Sequence, residues 1–218
     1  MLKKVIRWTP FVSIALLVLM FVGMTQADCI QEGVHNYCDS ELWTADAESF
    51  SIADVLALFG HGNGLHFFGN ALALLLFTVP AELLLGRKKF VPSIILIMVI
   101  QVIIGELTRT EGLGSSGWLM ATPGLMFGAS MWRIWKEDES IHSMAFPVIF
   151  FGVAIAMTAI DLASLGSDSG VDHMAHISGF LTGLLFVVAG IPFLVMTIRE
   201  EIRAWQRKRA WKKRMALA

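Results

Sequence analysis

The stretch Gly114-Ser115-Ser116-Gly117 precedes an apolar run, Trp118 to Trp135, that is as long as a membrane span. Glycine allows close approach of the backbone, and the first N–H groups of a helix are free to bind an anion. A serine in this setting suggests a nucleophile at the start of a buried helix. The same four residues also suit an ordinary loop, because Ser and Gly are common at helix–helix contacts in membranes. The rest of the chain decides between these two interpretations.

The composition indicates a membrane protein. Of the 218 residues, 56% are hydrophobic and only 16% are charged, whereas soluble domains average about 45–50% apolar and about 25% charged residues. The mean hydropathy is +0.66. These values predict a membrane protein with several spans. The order of apolar runs along the chain predicts that it is an all-α membrane protein with no second domain.

The basic residues lie between the apolar runs. Except for Arg109, every Lys and Arg lies in one of four short segments, at 3–7, 87–89, 133–136 and 199–214. Basic segments remain in the cytoplasm, so we expect both termini to be cytoplasmic, in the plasma membrane or inner cell membrane. The prediction is a six-helix membrane domain at 1–198 and a basic cytoplasmic tail at 199–218. Its spans are 8–26, 65–85, 90–107, 117–135, 141–163 and 171–198.

The loop 28–60 is expected on the outer side. It contains seven acidic residues and no Lys or Arg. Residues 50–59 have apolar side chains at helical spacing, which predicts a short helix along the membrane interface. Cys29 and Cys38 form either a disulfide or two free thiols, and an outer location favours the disulfide.

Two further segments have alternative interpretations. Residues 8–26 form a first span or a cleavable signal peptide, and their length favours a span. The tail has Trp205 and Trp211 among eight basic residues, which predicts an anchor on anionic lipid. A nucleic-acid role is the weaker interpretation, because a stop-transfer tail needs those charges anyway, and we expect no nucleic-acid partner.

Three polar features fall at the outer ends of three predicted spans. Ser116 precedes Arg133 by 17 residues, or about 25 Å of helix in a hydrocarbon core of about 30 Å. It is therefore expected just below the outer surface. His176 lies early in the last span, where an imidazole is costly unless it faces the bundle or water. His66 and Asn70 share one helix face at i and i+4.

Small residues form one face on each of two spans, a pattern that allows close backbone packing in membranes. Packing of these two faces against each other would bring Ser116 and His176 within reach. The residues are Gly179 and Gly183 in the last span, and Gly117, Ala121, Gly124 and Gly128 in the span after Ser116.

The chemistry that fits is acyl transfer. A serine is a weak nucleophile until a base takes its proton, and Asn and His side chains can stabilise an oxyanion beside a backbone N–H. Asp172 is expected at the wet surface, so a Ser–His dyad without an acidic member is predicted. No cofactor or metal is expected, although His61 and His173 leave zinc as a minor alternative.

These residues resemble the rhomboid family of intramembrane serine proteases, whose pattern is His-x-x-x-Asn, Gly-x-Ser-Gly and Ala-His-x-x-Gly-x-x-x-Gly on a six-span core. The resemblance implies that Ser116 is the nucleophile and His176 the general base. It also implies an oxyanion hole formed by His66, Asn70 and the Ser116 backbone N–H. The matching residues are His66 and Asn70, Gly114 to Gly117, Ala175, His176, Gly179 and Gly183, with His61, Glu82 and Gly86 in addition.

The chain departs from the family pattern at two positions. Trp43 is not followed by the Arg that many members have, and Met120 replaces a Tyr that packs on the catalytic histidine. A thioether can also contact an aromatic ring. The implied substrates are single-span or multi-span membrane proteins, cleaved near the outer face where a helix unwinds.

Two other functions compete with the protease. A non-catalytic rhomboid-like protein would bind membrane clients, although such relatives typically lose the serine or the histidine. A small transporter is suggested by three polar residues within spans, Gln101, Glu106 and Asp161. The chain has no inverted repeat or paired broken helices to support transport.

Overall fold

A computed structural model describes residues 9–26, 29–32, 35–38, 52–108, 114–137, 144–166 and 172–215. These segments form a helical bundle with one small β-hairpin. The helices are α1 (Phe11–Gln26), α2 (Ile52–Ala57), α3 (Gly64–Leu85), α4 (Arg87–Thr108), α5 (Ser116–Glu137), α6 (Ala145–Ala163) and α7 (His173–Met215), and the strands are β1 (Cys29–Glu32) and β2 (His35–Cys38).

The long helices follow the predicted apolar runs. Three of them, α3, α4 and α6, are long and apolar enough to cross a membrane, and α1 and the first part of α7 are shorter apolar helices. The helix α7 continues beyond the predicted span through most of the predicted tail, to Met215. Its Ala, Arg, Lys and Glu residues favour helix, and no Gly or Pro follows residue 192 to end it.

The outer loop is described in part. The helix predicted within residues 50–59 is present as α2, and β1 pairs with β2 in antiparallel register. Cys29 stands opposite Cys38 in that register. Most of the acidic residues lie at 39–51, outside the described residues, as do residues 1–8 with their basic start, Arg109 and the larger part of the loop before Asp172.

The core of the bundle is the contact of α5 with α7. A Cβ atom added at Gly179 would collide with the carbonyl oxygen of Gly117, and one added at Gly183 would lie 2.7 Å from the carbonyl oxygen of Ala121. Gly124 in turn lies against the backbone of Gly183. The two predicted small faces therefore do pack backbone against backbone, which holds the first turns of α5 and α7 together.

The helix α3 contains a π turn, Leu74–Thr78, that the sequence analysis did not predict. Pro80 follows it, and a proline ring in a regular α-helix crowds the carbonyl group four residues earlier. The wider π turn relieves that crowding. It also places Thr78 in the interior, where its hydroxyl lies 3.4 Å from that of Thr122 in α5.

Glu82 connects α3 to the start of α1. Its carboxylate accepts hydrogen bonds from the backbone N–H groups of Val12 and Ser13, at 3.1 and 2.7 Å, and from the Ser13 hydroxyl at 2.6 Å. A carboxylate is favoured there because the first N–H groups of a helix lack intrahelical partners. Arg87 donates to the carbonyl oxygen of Thr9 at 2.8 Å. Glu82 and Arg87 thus fix α1 against the α3–α4 turn.

The two ends of the bundle differ in the polar and charged side chains that they carry. Lys89 in the first turn of α4 lies 3.0 Å from the centre of the Trp132 ring in α5, and Arg87 covers Phe11 at 4.3 Å. These contacts connect α4 to α5 and to α1 at their predicted inner ends. The polar residues of the candidate site lie at the opposite end.

Candidate active site

The serine loop, residues 114–117, packs against the end of α2 and the residue that follows it. Gly114 has φ +132°, a conformation that favours glycine, and its N–H donates to the carbonyl oxygen of Ala57 at 2.8 Å. The indole N–H of Trp118 donates to the carbonyl oxygen of Leu58 at 3.1 Å. The short helix α2 thereby fixes the position of the first turn of α5.

The two serines have different surroundings. Ser115 is fully buried, and its carbonyl oxygen accepts the first helical hydrogen bond of α5, from Leu119. Ser116 is the first residue of α5 and is half-buried. Its N–H is among the first N–H groups of the helix, which have no intrahelical acceptor. Ser116 therefore offers both a reachable hydroxyl and a backbone donor.

Ser115 contacts a histidine. Nδ1 of His61 lies 2.9 Å from the carbonyl oxygen of Phe59, so this nitrogen carries the hydrogen. Nε2 of His61 is then the acceptor, and both Ser115 Oγ and Asn70 Nδ2 lie 3.1 Å from it. The neutral imidazole of His61 thus fixes the orientation of the Asn70 amide.

Burial keeps His61 neutral. The side chain is 1% exposed, and the cost of desolvating a charge, with a smaller contribution from repulsion by His66, lowers its pKa to about 4. An imidazole with this pKa is a weak base near neutral pH. His61 is therefore better suited to orient Asn70 and Ser115 than to activate a nucleophile.

His66 lies between the other polar groups of the site. Its backbone N–H donates to the side-chain oxygen of Asn63, which caps α3 at 2.8 Å, and its ring packs edge-on against His61 with centroids 5.0 Å apart. A Cβ added at Gly114 would lie 2.8 Å from its ring. His66 also lies close enough to His176 for the two side chains to interact electrostatically.

His176 lies in the first turn of α7, beside the serine loop. Asp172 accepts a hydrogen bond from the backbone N–H of Ala175 at 2.9 Å and thereby caps this helix. A Cβ added at Gly117 would lie 3.3 Å from the carbonyl oxygen of Ala175. Within the described part of the chain, no hydrogen bond joins the side chains of Ser116 and His176.

His176 has an acidic partner that was not predicted from the sequence. Asp161, near the end of α6, places Oδ1 and Oδ2 at 3.1 and 3.2 Å from Nδ1 of His176. Its Oδ1 also lies 2.7 Å from Nδ1 of His173. The sequence did contain an indication of this contact. An acidic residue lies at the outer end of one predicted span, histidines lie at the start of the next, and only a short loop separates the two spans.

Gln101 is a polar residue within a span that has partners in the bundle. Gln101 of α4 accepts from the hydroxyl of Ser178 at 3.1 Å and donates to that of Thr182 at 3.3 Å. Gln101 and Asp161, which had suggested transport, thus connect helices. Across the described ranges, no group of three or more His, Cys, Asp or Glu residues is arranged to hold a metal ion.

The comparison with protein families gives one match. The model of the Rhomboid domain matches residues 51–193, more than half of the chain. No curated protein and no solved structure matches the sequence. The matched range begins just before α2 and includes every residue of the candidate site described above.

Proposed function

The chain belongs to the rhomboid family of intramembrane proteases, and we propose that it is an active serine endopeptidase that cleaves transmembrane segments near the outer membrane face. One observation carries the proposal. The half-buried Ser116 lies between Gly114 and Gly117 in the chain. Gly114 packs against the ring of His66, and Gly117 packs against Ala175, the residue before His176. This arrangement supports the proposal that a nucleophile, a base and an oxyanion donor share one site.

The reaction follows from these roles. His176 takes the proton of the Ser116 hydroxyl as its oxygen attacks the substrate carbonyl, and then gives that proton to the leaving amine. Water hydrolyses the resulting ester with His176 again as the base. His66, Asn70 and the Ser116 N–H would stabilise the oxyanion of each tetrahedral intermediate. His61 would support this hole by orienting Asn70.

Burial separates the two serines as nucleophiles. Ser115 has the shorter path to a base, since its hydroxyl already contacts His61, but both side chains are closed to substrate at 0% and 1% exposure. Ser116 is reachable and follows Ser115 by one residue, which turns its side chain by about 100° around the helix. We therefore assign the nucleophile to Ser116.

The membrane arrangement is part of the proposal. We propose six spans in the plasma or inner cell membrane, both termini in the cytoplasm, and a basic tail that contacts anionic lipid. The clustering of Arg87, Lys89 and Glu82 at one end of the bundle supports a common inner side. A tag at residue 218 should be accessible only from the cytoplasmic side, and access from the other side would overturn this orientation.

The decisive experiment is cleavage of a model single-span membrane protein, with the products mapped by mass. Ser116→Ala and His176→Ala should each reduce cleavage to background, because one lacks the nucleophile and the other its base. Ser115→Ala is the matched control and should retain activity. Cleavage by Ser116→Ala at the wild-type rate would refute the proposal.

The oxyanion hole is tested in the same assay. Loss of one donor costs roughly 10²–10³ in rate where it has been measured, and we expect a smaller loss for His66→Ala or Asn70→Ala because about three donors share the charge. The double variant should lose more than either single variant. If the double variant cleaved like the wild type, these side chains would not form the hole.

A non-catalytic client-binding protein is the second candidate. It is favoured by one observation, that no hydrogen bond joins Ser116 to His176 in the described residues. A fluorophosphonate probe separates the two functions, because it labels a serine only where a base activates it. Labelling of the wild type but not of Ser116→Ala supports the protease, and equal lack of labelling supports the client-binding protein.

A further inference from the structure

We infer that Asp161 is a positioning residue for His176, so that this enzyme works with a Ser–His–Asp arrangement; the inference rests on the proposed function. Asp161 is 5% exposed, and both of its carboxylate oxygens lie within 3.2 Å of Nδ1 of His176. The contact joins the outer end of α6 to the first turn of α7. The carboxylate contacts Nδ1 of the imidazole, which leaves Nε2 free to take the serine proton.

The carboxylate determines which nitrogen of His176 carries the hydrogen. An ionised carboxylate only accepts hydrogen bonds, so the hydrogen lies on Nδ1 and Nε2 keeps its lone pair. A base must be in this tautomer to take a proton from Ser116 through Nε2. Without the carboxylate, either nitrogen of the neutral ring can carry the hydrogen.

The carboxylate also acts during the proton transfer. The proton moves from Ser116 Oγ to Nε2 of His176, and the ring becomes an imidazolium with a hydrogen on each nitrogen. Asp161 takes up no proton in this step; its negative charge stabilises the positive ring across the Nδ1–H bond. Asp161 is buried and His176 is half-buried, so this interaction is stronger than it would be at an exposed surface.

A structural role is the competing explanation for Asp161. A carboxylate inside a membrane protein needs donors to offset its desolvation, and His173 supplies one at 2.7 Å, closer than His176. Asp161 could therefore serve only to connect α6 with α7. His173 shares this connection without belonging to the dyad, which makes it the matched control.

The experiment compares Asp161→Asn with His173→Gln in the full-length protein in detergent. The readouts are the rate at which a fluorophosphonate labels Ser116, kcat and KM for a model single-span substrate, and the midpoint of thermal unfolding. For Asp161→Asn we expect the labelling rate and kcat to fall at least about tenfold, with KM unchanged. For comparison, the same replacement in a full Ser-His-Asp triad lowers kcat roughly 10⁴-fold. For His173→Gln we expect rates within about twofold of the wild type.

The contrary outcomes are distinct. Equal losses of rate in both variants, together with equally lowered unfolding midpoints, would show that Asp161 only connects the helices and would overturn the inference. A wild-type rate in Asp161→Asn, with Ser116→Ala unreactive, would overturn the inference but leave the protease. A wild-type protein that neither labels at Ser116 nor cleaves the substrate would overturn both.

Discussion

The hydroxyl oxygen of Ser115 lies 3.1 Å from Nε2 of His61, and both side chains are inaccessible to solvent. Directly beside them, Ser116 is partly accessible and starts α5. The two adjacent serines are thus divided between a buried and a partly exposed position. One completes a buried hydrogen-bond network under the loop, and the other is partly exposed to solvent.

This division predicts opposite effects of two alanine substitutions. Ser115→Ala removes a buried hydroxyl that donates to His61, which should lower the free energy of unfolding by about 0.5–1.5 kcal/mol. Ser116→Ala should leave stability nearly unchanged while it abolishes cleavage. Thermal unfolding and cleavage of both variants check the pattern, and a stable but inactive Ser115→Ala protein would mean that the nucleophile is assigned to the wrong serine.

The stability of the fold should depend on pH through His61. Burial lowers its pKa from about 6.5 to about 4, so the unfolded chain binds a proton more strongly than the folded one. The free energy of unfolding should therefore be highest above pH 6.5 and fall by up to about 3 kcal/mol as the pH decreases to about 4.

The control for this prediction is His61→Gln, which keeps an acceptor for Ser115 but does not titrate in this range. Unfolding midpoints of the wild type and the variant, measured in one detergent from pH 7.5 to pH 4, should diverge below about 6.5. Identical pH profiles would show that His61 does not carry the effect.

The backbone contact of α5 with α7 predicts a different cost for two glycines. Gly124→Ala would drive a methyl group into the backbone of Gly183 and should destabilise by about 1–3 kcal/mol. Gly152 of α6 has no atom within 4 Å of a Cβ position. Gly152→Ala should therefore unfold at the wild-type temperature or slightly above it, and equal losses in both variants would contradict the packing.

The hairpin gives the predicted disulfide a structural setting. Cys29 and Cys38 are opposed in the antiparallel register, and opposed residues have Cα atoms about 4.5–5.5 Å apart, within the range of about 4.4–6.8 Å that a disulfide requires. A bridge closing so short a loop should contribute about 2–3 kcal/mol.

Alkylation of unreduced protein from its native membrane should leave both cysteines unmodified, and reduction should make both reactive. Full alkylation before reduction would exclude the bridge. Cys29→Ser should still label at Ser116, since neither cysteine belongs to the proposed dyad.

The sequence was sufficient to predict features that depend on the residues along a single helix. Apolar length and basic ends located the long helices, and small residues at four-residue spacing predicted the contact through Gly179 and Gly183. The role of Asp161 was not predictable in this way. Its contact with His176 depends on how α6 is rotated about its own axis, which is set by packing against α7 and not by the local sequence.

The π turn and the serine pair show the same limit. Pro80 indicated a disturbance in α3, but the number of residues in the widened turn depends on how Thr78 and its neighbours meet α5. The two serines are chemically identical in the sequence. In the structure, the buried Nε2 of His61, in a loop more than 50 residues earlier, contacts Ser115 and thereby gives it different surroundings from Ser116.

The helix α7 runs without interruption from the turn that holds His176 to the exposed Arg207 and Arg209 of the tail. Thirty-one residues of helix separate His176 from Arg207, a distance of about 47 Å at 1.5 Å per residue. The two ends therefore keep a fixed rotational phase. Inserting one residue between them turns the tail charges by about 100° relative to the imidazole, whereas inserting seven restores the phase to within about 20°.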